Sequence, residues 1–213
     1  MLREALRFPF RGDRGNVLET LAVGGGLHLL AAFLPVLPLV PVVGYLVGVL
    51  RDDGGDEPPL FREPRRLLRD GLLGSVVCLA YLLPPAAFLL LTVGRAAVDG
   101  IPGDVPSSLF LAFSTLSLLI AVAFAYVLPA ALVALARSGL RAAFAPRALL
   151  GAVTNGRYFY GWTVGGATFG SALALTPALN PIAVGFFVLF YAEVVAAAAW
   201  ADAVRGNRFT PGR

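Results

Sequence analysis

Apolar residues run through this chain in long blocks, without the short alternation that would bury one face of an element and wet the other. Four blocks stand out, at 17–50, 72–94, 108–135 and 158–200. A helix needs about 20 mostly apolar residues to cross a bilayer, so the first and last blocks are too long for one pass. Each is also interrupted, by Pro35, Pro38 and Pro41 in the first and by Pro177, Asn180 and Pro181 in the last. Proline removes a backbone donor and clashes with the preceding turn, which favours a break. The pattern predicts an all-α fold: a polytopic transmembrane helix bundle with six crossings, arranged as three helical hairpins with short interfacial segments. The crossings fall near 17–34, 38–51, 72–94, 108–135, 158–176 and 182–200, within a single transmembrane domain spanning 1–213 behind a charged leader at 1–16. Residues 38–51 are the shortest of these segments, and the alternative is a re-entrant or interfacial piece there.

Composition agrees with a membrane setting. Apolar residues make up 58% of the 213 and charged residues 14%, against about 25% charged in a soluble domain, and the mean hydropathy is +0.78. Charge decides the orientation. The seventeen basic side chains are all arginine, and sixteen lie in 1–16, 51–71, 136–157 and 201–213, leaving Arg95 in an opposite-side loop. Basic residues concentrate on the cytoplasmic side of membrane proteins, so the reading is a cell-membrane protein with both termini cytoplasmic and 95–107 outside. The net charge of +4 then needs no nucleic-acid partner. The expected partners are membrane lipid and a homo-oligomer or another membrane subunit. No cleavable signal peptide is expected, because a charged leader precedes an overlong apolar run. Cys78 stands alone within an apolar run, so no disulfide, cysteine metal site or other cofactor is expected.

A charged, partly amphipathic stretch precedes each hairpin, at Glu4–Arg11, Pro64–Gly71 and Arg137–Arg157. Such pieces can lie in the interface with their arginines at the headgroups. In the third, Leu140, Phe144 and Leu149 are the expected lipid-side positions.

Several local patterns recur in order along the chain: Glu4-Ala5-Leu6-Arg7-Phe8-Pro9, Gly44-Tyr45-Leu46-Val47-Gly48-Val49-Leu50-Arg51, Asp56-Glu57-Pro58-Pro59-Leu60-Phe61, Tyr81-Leu82-Leu83-Pro84, Tyr126-Val127-Leu128-Pro129-Ala130 and Ala142-Ala143-Phe144. The segment Tyr158 to Trp162 and the pair Phe190-Tyr191 complete the series. Together they resemble the haloarchaeal membrane proteins grouped as domain of unknown function family 4013. The resemblance implies an archaeal, multi-pass helical membrane protein and no known reaction. Gly48 departs from it, standing where a basic residue is common.

Few polar residues interrupt the apolar blocks. Glu193 lies deep in the last one, and a carboxylate there must face the bundle or a water-filled cavity. It is read as a proton- or cation-linked position or as a hydrogen-bonded packing residue. His28, the one histidine, lies in the first block and could pair with Glu193 or with a hydroxyl such as Thr20. A single imidazole is no metal cluster. Pro84 and Pro129, each three residues after a tyrosine, mark helix kinks that either open a cavity or shape a fixed bundle. Arg157, Tyr158, Tyr160 and Trp162 read as interfacial anchors. The acidic run Asp52, Asp53, Asp56 and Glu57 ends in Glu-Pro-Pro, which does not close a calcium loop. No catalytic, cofactor-binding or metal-binding residue emerges. The leading functional expectation is a noncatalytic membrane scaffold or accessory subunit. The alternative is a small-solute or ion transporter or channel with Glu193 in a polar path, and a membrane-embedded enzyme comes third.

Overall fold

A computed structural model describes residues 2–52, 57–94 and 107–205, the side chain of Ser107 excepted, and these residues form an all-helical bundle. The loop expected at 95–107, residues 53–56 with Asp53 and Asp56 of the acidic run, and the tail from 206 fall outside the described residues, the backbone of Ser107 apart.

A short helix, α1 (Leu2–Arg7), leads through a tight turn at Phe8–Phe10 into α2 (Arg14–Ala31). Asp13 starts α2 by accepting the Gly15 backbone N–H at 2.9 Å, a standard N-cap. The chain turns at Pro35–Pro38, with Val36 at positive φ, and enters α3 (Leu39–Arg51). Pro41 sits in the first turn of α3, where its missing N–H costs nothing. Next comes α4 (Pro64–Leu89), which widens into a π-helical turn at Leu90–Gly94, and then α5 (Ser107–Ser138). Two short helices follow, α6 (Leu140–Ala143) and α7 (Pro146–Val153). The long helices α8 (Gly156–Leu179) and α9 (Val184–Ala203) close the order.

The expectation of six crossings in three hairpins does not hold. Among the described residues only three helices are both long and apolar enough to cross a membrane: Pro64–Gly94, Ser108–Ser138 and Val184–Ala203. The reasons are physical. The thirteen residues of α3 rise about 20 Å, short of the ~30 Å hydrocarbon layer. Arg14, Asn16, Glu19 and His28 dilute the apolar character of α2, and glycine, serine and threonine dilute that of α8. Nor do α2 and α3 pair as a hairpin: α2 packs chiefly on α9, and α3 on α4. The three spans make the protein a multi-pass membrane protein in contact with lipid.

Among the described residues, consecutive helices pack antiparallel at α3/α4, α4/α5 and α8/α9. In α4/α5, Thr92 bonds Ser117 at 2.8 Å near one end, and Tyr81 packs on Phe124 midway. In α8/α9, Gly161 lies against Ala203 and Gly165 against Trp200. Pro177 does not break α8, which continues to Leu179. The corner lies at Asn180–Ile182, with Ala183 at positive φ. The most enclosed helix is α9, where the alanine-rich run from Ala192 to Ala203 admits α8, α2, α3 and α1 at close range. By contrast α4 is mostly exposed, with Leu72, Val76, Leu79 and Leu83 along one outer face.

The interfacial pieces differ from expectation as well. The stretch Pro64–Gly71 is not separate but forms the first turns of α4. Leu149 is buried, whereas Leu140 and Phe144 are exposed. The leader folds onto α9, with Tyr191 donating its hydroxyl to Leu6 O at 2.8 Å and its ring packed on Phe10.

Candidate functional site

Glu193 and His28 meet. The imidazole is 6% exposed and the carboxylate 18%, with Nε2 lying 3.3 Å from Oε1 and 3.2 Å from Oε2. The other ring nitrogen, Nδ1, lies 2.9 Å from Gly24 O one helical turn earlier. A carbonyl only accepts, so Nδ1 carries a hydrogen and donates it. Nε2 then faces the carboxyl group in one of two ways. Either an imidazolium donates to a carboxylate, or a neutral imidazole accepts from a protonated Glu193. Both arrangements hold one proton between the two residues and leave the pair neutral. That neutrality makes an ionisable pair tolerable at depth in a low-dielectric bundle.

Glycine and phenylalanine build the setting. Gly24 and Gly25 let α2 approach α9 closely, since a methyl at either position would overlap the ring of Phe190 or of Phe187. Phe190 is fully buried and packs on the imidazole with ring centroids 6.0 Å apart. It also joins Tyr45 and Phe61, which stack at 4.5 Å. Thr20 is buried on the same helix, but the partners of His28 are Gly24 and Glu193.

The second polar system surrounds Pro84 and Pro129, which lie inside α4 and α5. Pro129 frees the carbonyl of Ala125, four residues back, and Trp162 Nε1 donates to that oxygen at 3.1 Å. Tyr158 donates its hydroxyl to the neighbouring Tyr126 O. Tyr126 in turn donates to Val153 O at 2.8 Å, and Tyr81 donates to Ala143 O at 2.8 Å. Ala143 and Val153 are the last residues of α6 and α7, so each tyrosine preceding a proline fastens the end of one short helix. The four residues expected as interfacial anchors are placed differently from one another. Tyr158 is 1% exposed and turned into the bundle, because its hydroxyl finds a backbone acceptor on α5. Tyr160 is exposed, and Arg157 pairs with Asp202 at 3.1 Å.

A model of the family described as a protein of unknown function (DUF4013) matches residues 27–180. The chain belongs to this family. The matched region contains His28, both tyrosine–proline pairs and Trp162, while the leader, Phe190-Tyr191 and Glu193 lie beyond its ends. No curated protein and no solved structure matches the chain.

Sequence reasoning missed a third polar group, at the arginine-rich end of the DUF4013 bundle. Arg51 donates from Nη2 to Asp70 at 2.7 Å and from Nε to Ala136 O at 2.9 Å. Arg137 donates to Ala201 O and Val204 O at the end of α9, where a cation complements the helix dipole. The available signal was position: both arginines directly follow, or nearly end, an apolar run.

Proposed function

We propose that this protein is a noncatalytic membrane scaffold or accessory subunit, with its arginine-rich end on the cytoplasmic side. It would act by holding lipid and a second membrane subunit, or another copy of itself, against its packed helices. The observation that carries this reading is that the titratable pair and the tyrosine and tryptophan donors beside Pro84 and Pro129 are held by bonds within the bundle, while Tyr45 Oη is buried with no partner among the described residues. His28 and Glu193 share a proton, the carbonyl freed by Pro129 accepts from Trp162, and Tyr81, Tyr126 and Tyr158 spend their hydroxyls on backbone acceptors. Orientation is supported by the arginines themselves, since Arg51, Arg66, Arg137, Arg157 and Arg205 form their contacts at one end of the helices, and basic residues favour the cytoplasmic side.

The test is flux in sealed proteoliposomes carrying the wild type or Glu193→Gln. The substitution keeps the shape and hydrogen bonding of the side chain but cannot ionise. A scaffold gives the same background proton and cation leak with either protein. Wild-type flux that varies with pH and disappears in Glu193→Gln would replace the scaffold with a permeability protein.

A further inference from the structure

We infer that the cleft around Arg51, Arg66 and Arg69 binds a phosphate-bearing anion, with an anionic lipid headgroup as its source. This goes beyond the scaffold reading and does not depend on it. A cavity of ≈ 340 Å³ lies between the end of α3, the start of α4 and the end of α5, lined by Arg51, Arg66, Arg69, Asp70, Leu73 and Gly139. Its size falls in the range of small-molecule sites, about 300–1,000 Å³. Three arginines face one carboxylate there, so the lining carries a surplus of two positive charges.

These arginines are not equally engaged. Arg51 is held by Asp70 and Ala136 O, which fixes its guanidinium, yet its Nη1 has no hydrogen-bond partner among the described residues. Arg66 lies 3.8 Å from Asp70 and 3.5 Å from Glu63, loose contacts for an exposed side chain. Arg69 is exposed and makes no ion pair among the described residues. Arginine suits phosphate because its planar fork offers paired donors to two oxygens. One immobilised guanidinium beside the loosely paired Arg66 and the exposed Arg69 is therefore a prepared anion site.

Placement along the helix points to a lipid as the source. Arg69 stands where the apolar run of α4 begins, and Leu72, Val76, Leu79 and Leu83 follow it at helical spacing. All four are exposed, between 49% and 63%, so they form one stripe below Arg69 on the outer face. A phospholipid lying on this face would place its acyl chains along the stripe and its headgroup at the arginines. Basic pockets between membrane helices recognise anionic headgroups through the same chemistry.

The experiment uses the purified full chain in neutral detergent, probed by native mass spectrometry with phosphatidylglycerol or phosphatidylcholine. The wild type should retain phosphatidylglycerol preferentially. Arg66→Gln combined with Arg69→Gln should weaken that retention by at least about tenfold. Arg65→Gln, on the same helix but outside the cleft, should leave it nearly unchanged. Equal losses in both variants would mean diffuse surface attraction and overturn the site. Equal retention of the two lipids by the wild type would overturn it without reference to any variant. Titration with inorganic phosphate in lipid-free detergent separates the sources. Saturable binding lost with Arg66 and Arg69 keeps the phosphate site but transfers it to a free anion, and no binding in either arm removes the site.

Discussion

Replacing Gly44 by alanine should push α3 off α4. The two helices touch backbone to backbone at this point. A Cβ on Gly44 would lie 2.7 Å from the carbonyl carbon of Leu67, where ordinary contact begins near 3.4 Å, so the helices must part by at least 0.7 Å. Gly71 faces Val40 in the same way, with a Cβ there 2.8 Å from the Val40 carbonyl carbon. Neither obstacle is the end of a flexible side chain that can swing aside. Overpacking costs about 1–3 kcal/mol when side chains can adjust, and a backbone obstacle belongs at the upper end. Alanine recovers about 0.5–1 kcal/mol over glycine within a helix, which leaves a net loss of about 2 kcal/mol. The assay is unfolding in mixed micelles by SDS titration, followed by circular dichroism. Gly170→Ala is the control, because a methyl there meets nothing within 4 Å, and it should gain about 0.5–1 kcal/mol. A Gly44→Ala protein as stable as the wild type would refute the close approach of α3 and α4.

Two further outcomes follow from the same contacts. Trp162→Phe keeps an aromatic side chain but leaves the Ala125 carbonyl, freed by Pro129, without its donor, and should cost about 1 kcal/mol in the same titration; no loss would mean that this carbonyl does not need the indole. In a Cys78→Ser background, a cysteine at position 60 should react only with reagent on the cytoplasmic side and one at position 100 only from outside, and the reverse pattern would invert the proposed orientation.

The spans most legible in the sequence were those whose apolar runs are long and rich in leucine, valine and phenylalanine. The segments 72–94, 108–135 and 182–200 correspond to α4, α5 and α9, because these residues keep the hydropathy high there despite scattered serine, proline and Glu193. The other three segments were misjudged for separate reasons. Glycine and hydroxyl residues look neutral by eye but lower hydropathy, as in α8. Scattered polar residues do the same in α2, and α3 is simply short. Pro177 was legible as a residue but not in its effect, since the neighbouring corner at Asn180–Ala183 turns the chain whether or not α8 bends first. The pairing of His28 with Glu193 was open to sequence reasoning because each is a rare polar residue within apolar sequence and must find a partner. The inward turn of Tyr158 was not, because it depends on where the α5 backbone passes. Nor was the hold of Arg51 on Asp70 and Ala136, which joins three helices distant in sequence.

The proposed scaffold requires the bundle around Glu193 to be closed to water. Ala197 lies one helical turn beyond Glu193 and is 2% exposed. Ala197→Cys, in a Cys78→Ser background, can be treated in sealed proteoliposomes with a small, water-soluble, membrane-impermeant thiol reagent. A packed scaffold predicts no modification with reagent on either side until the protein is unfolded in SDS. Rapid modification from one side while folded would reveal a water passage beside Glu193 and contradict the account.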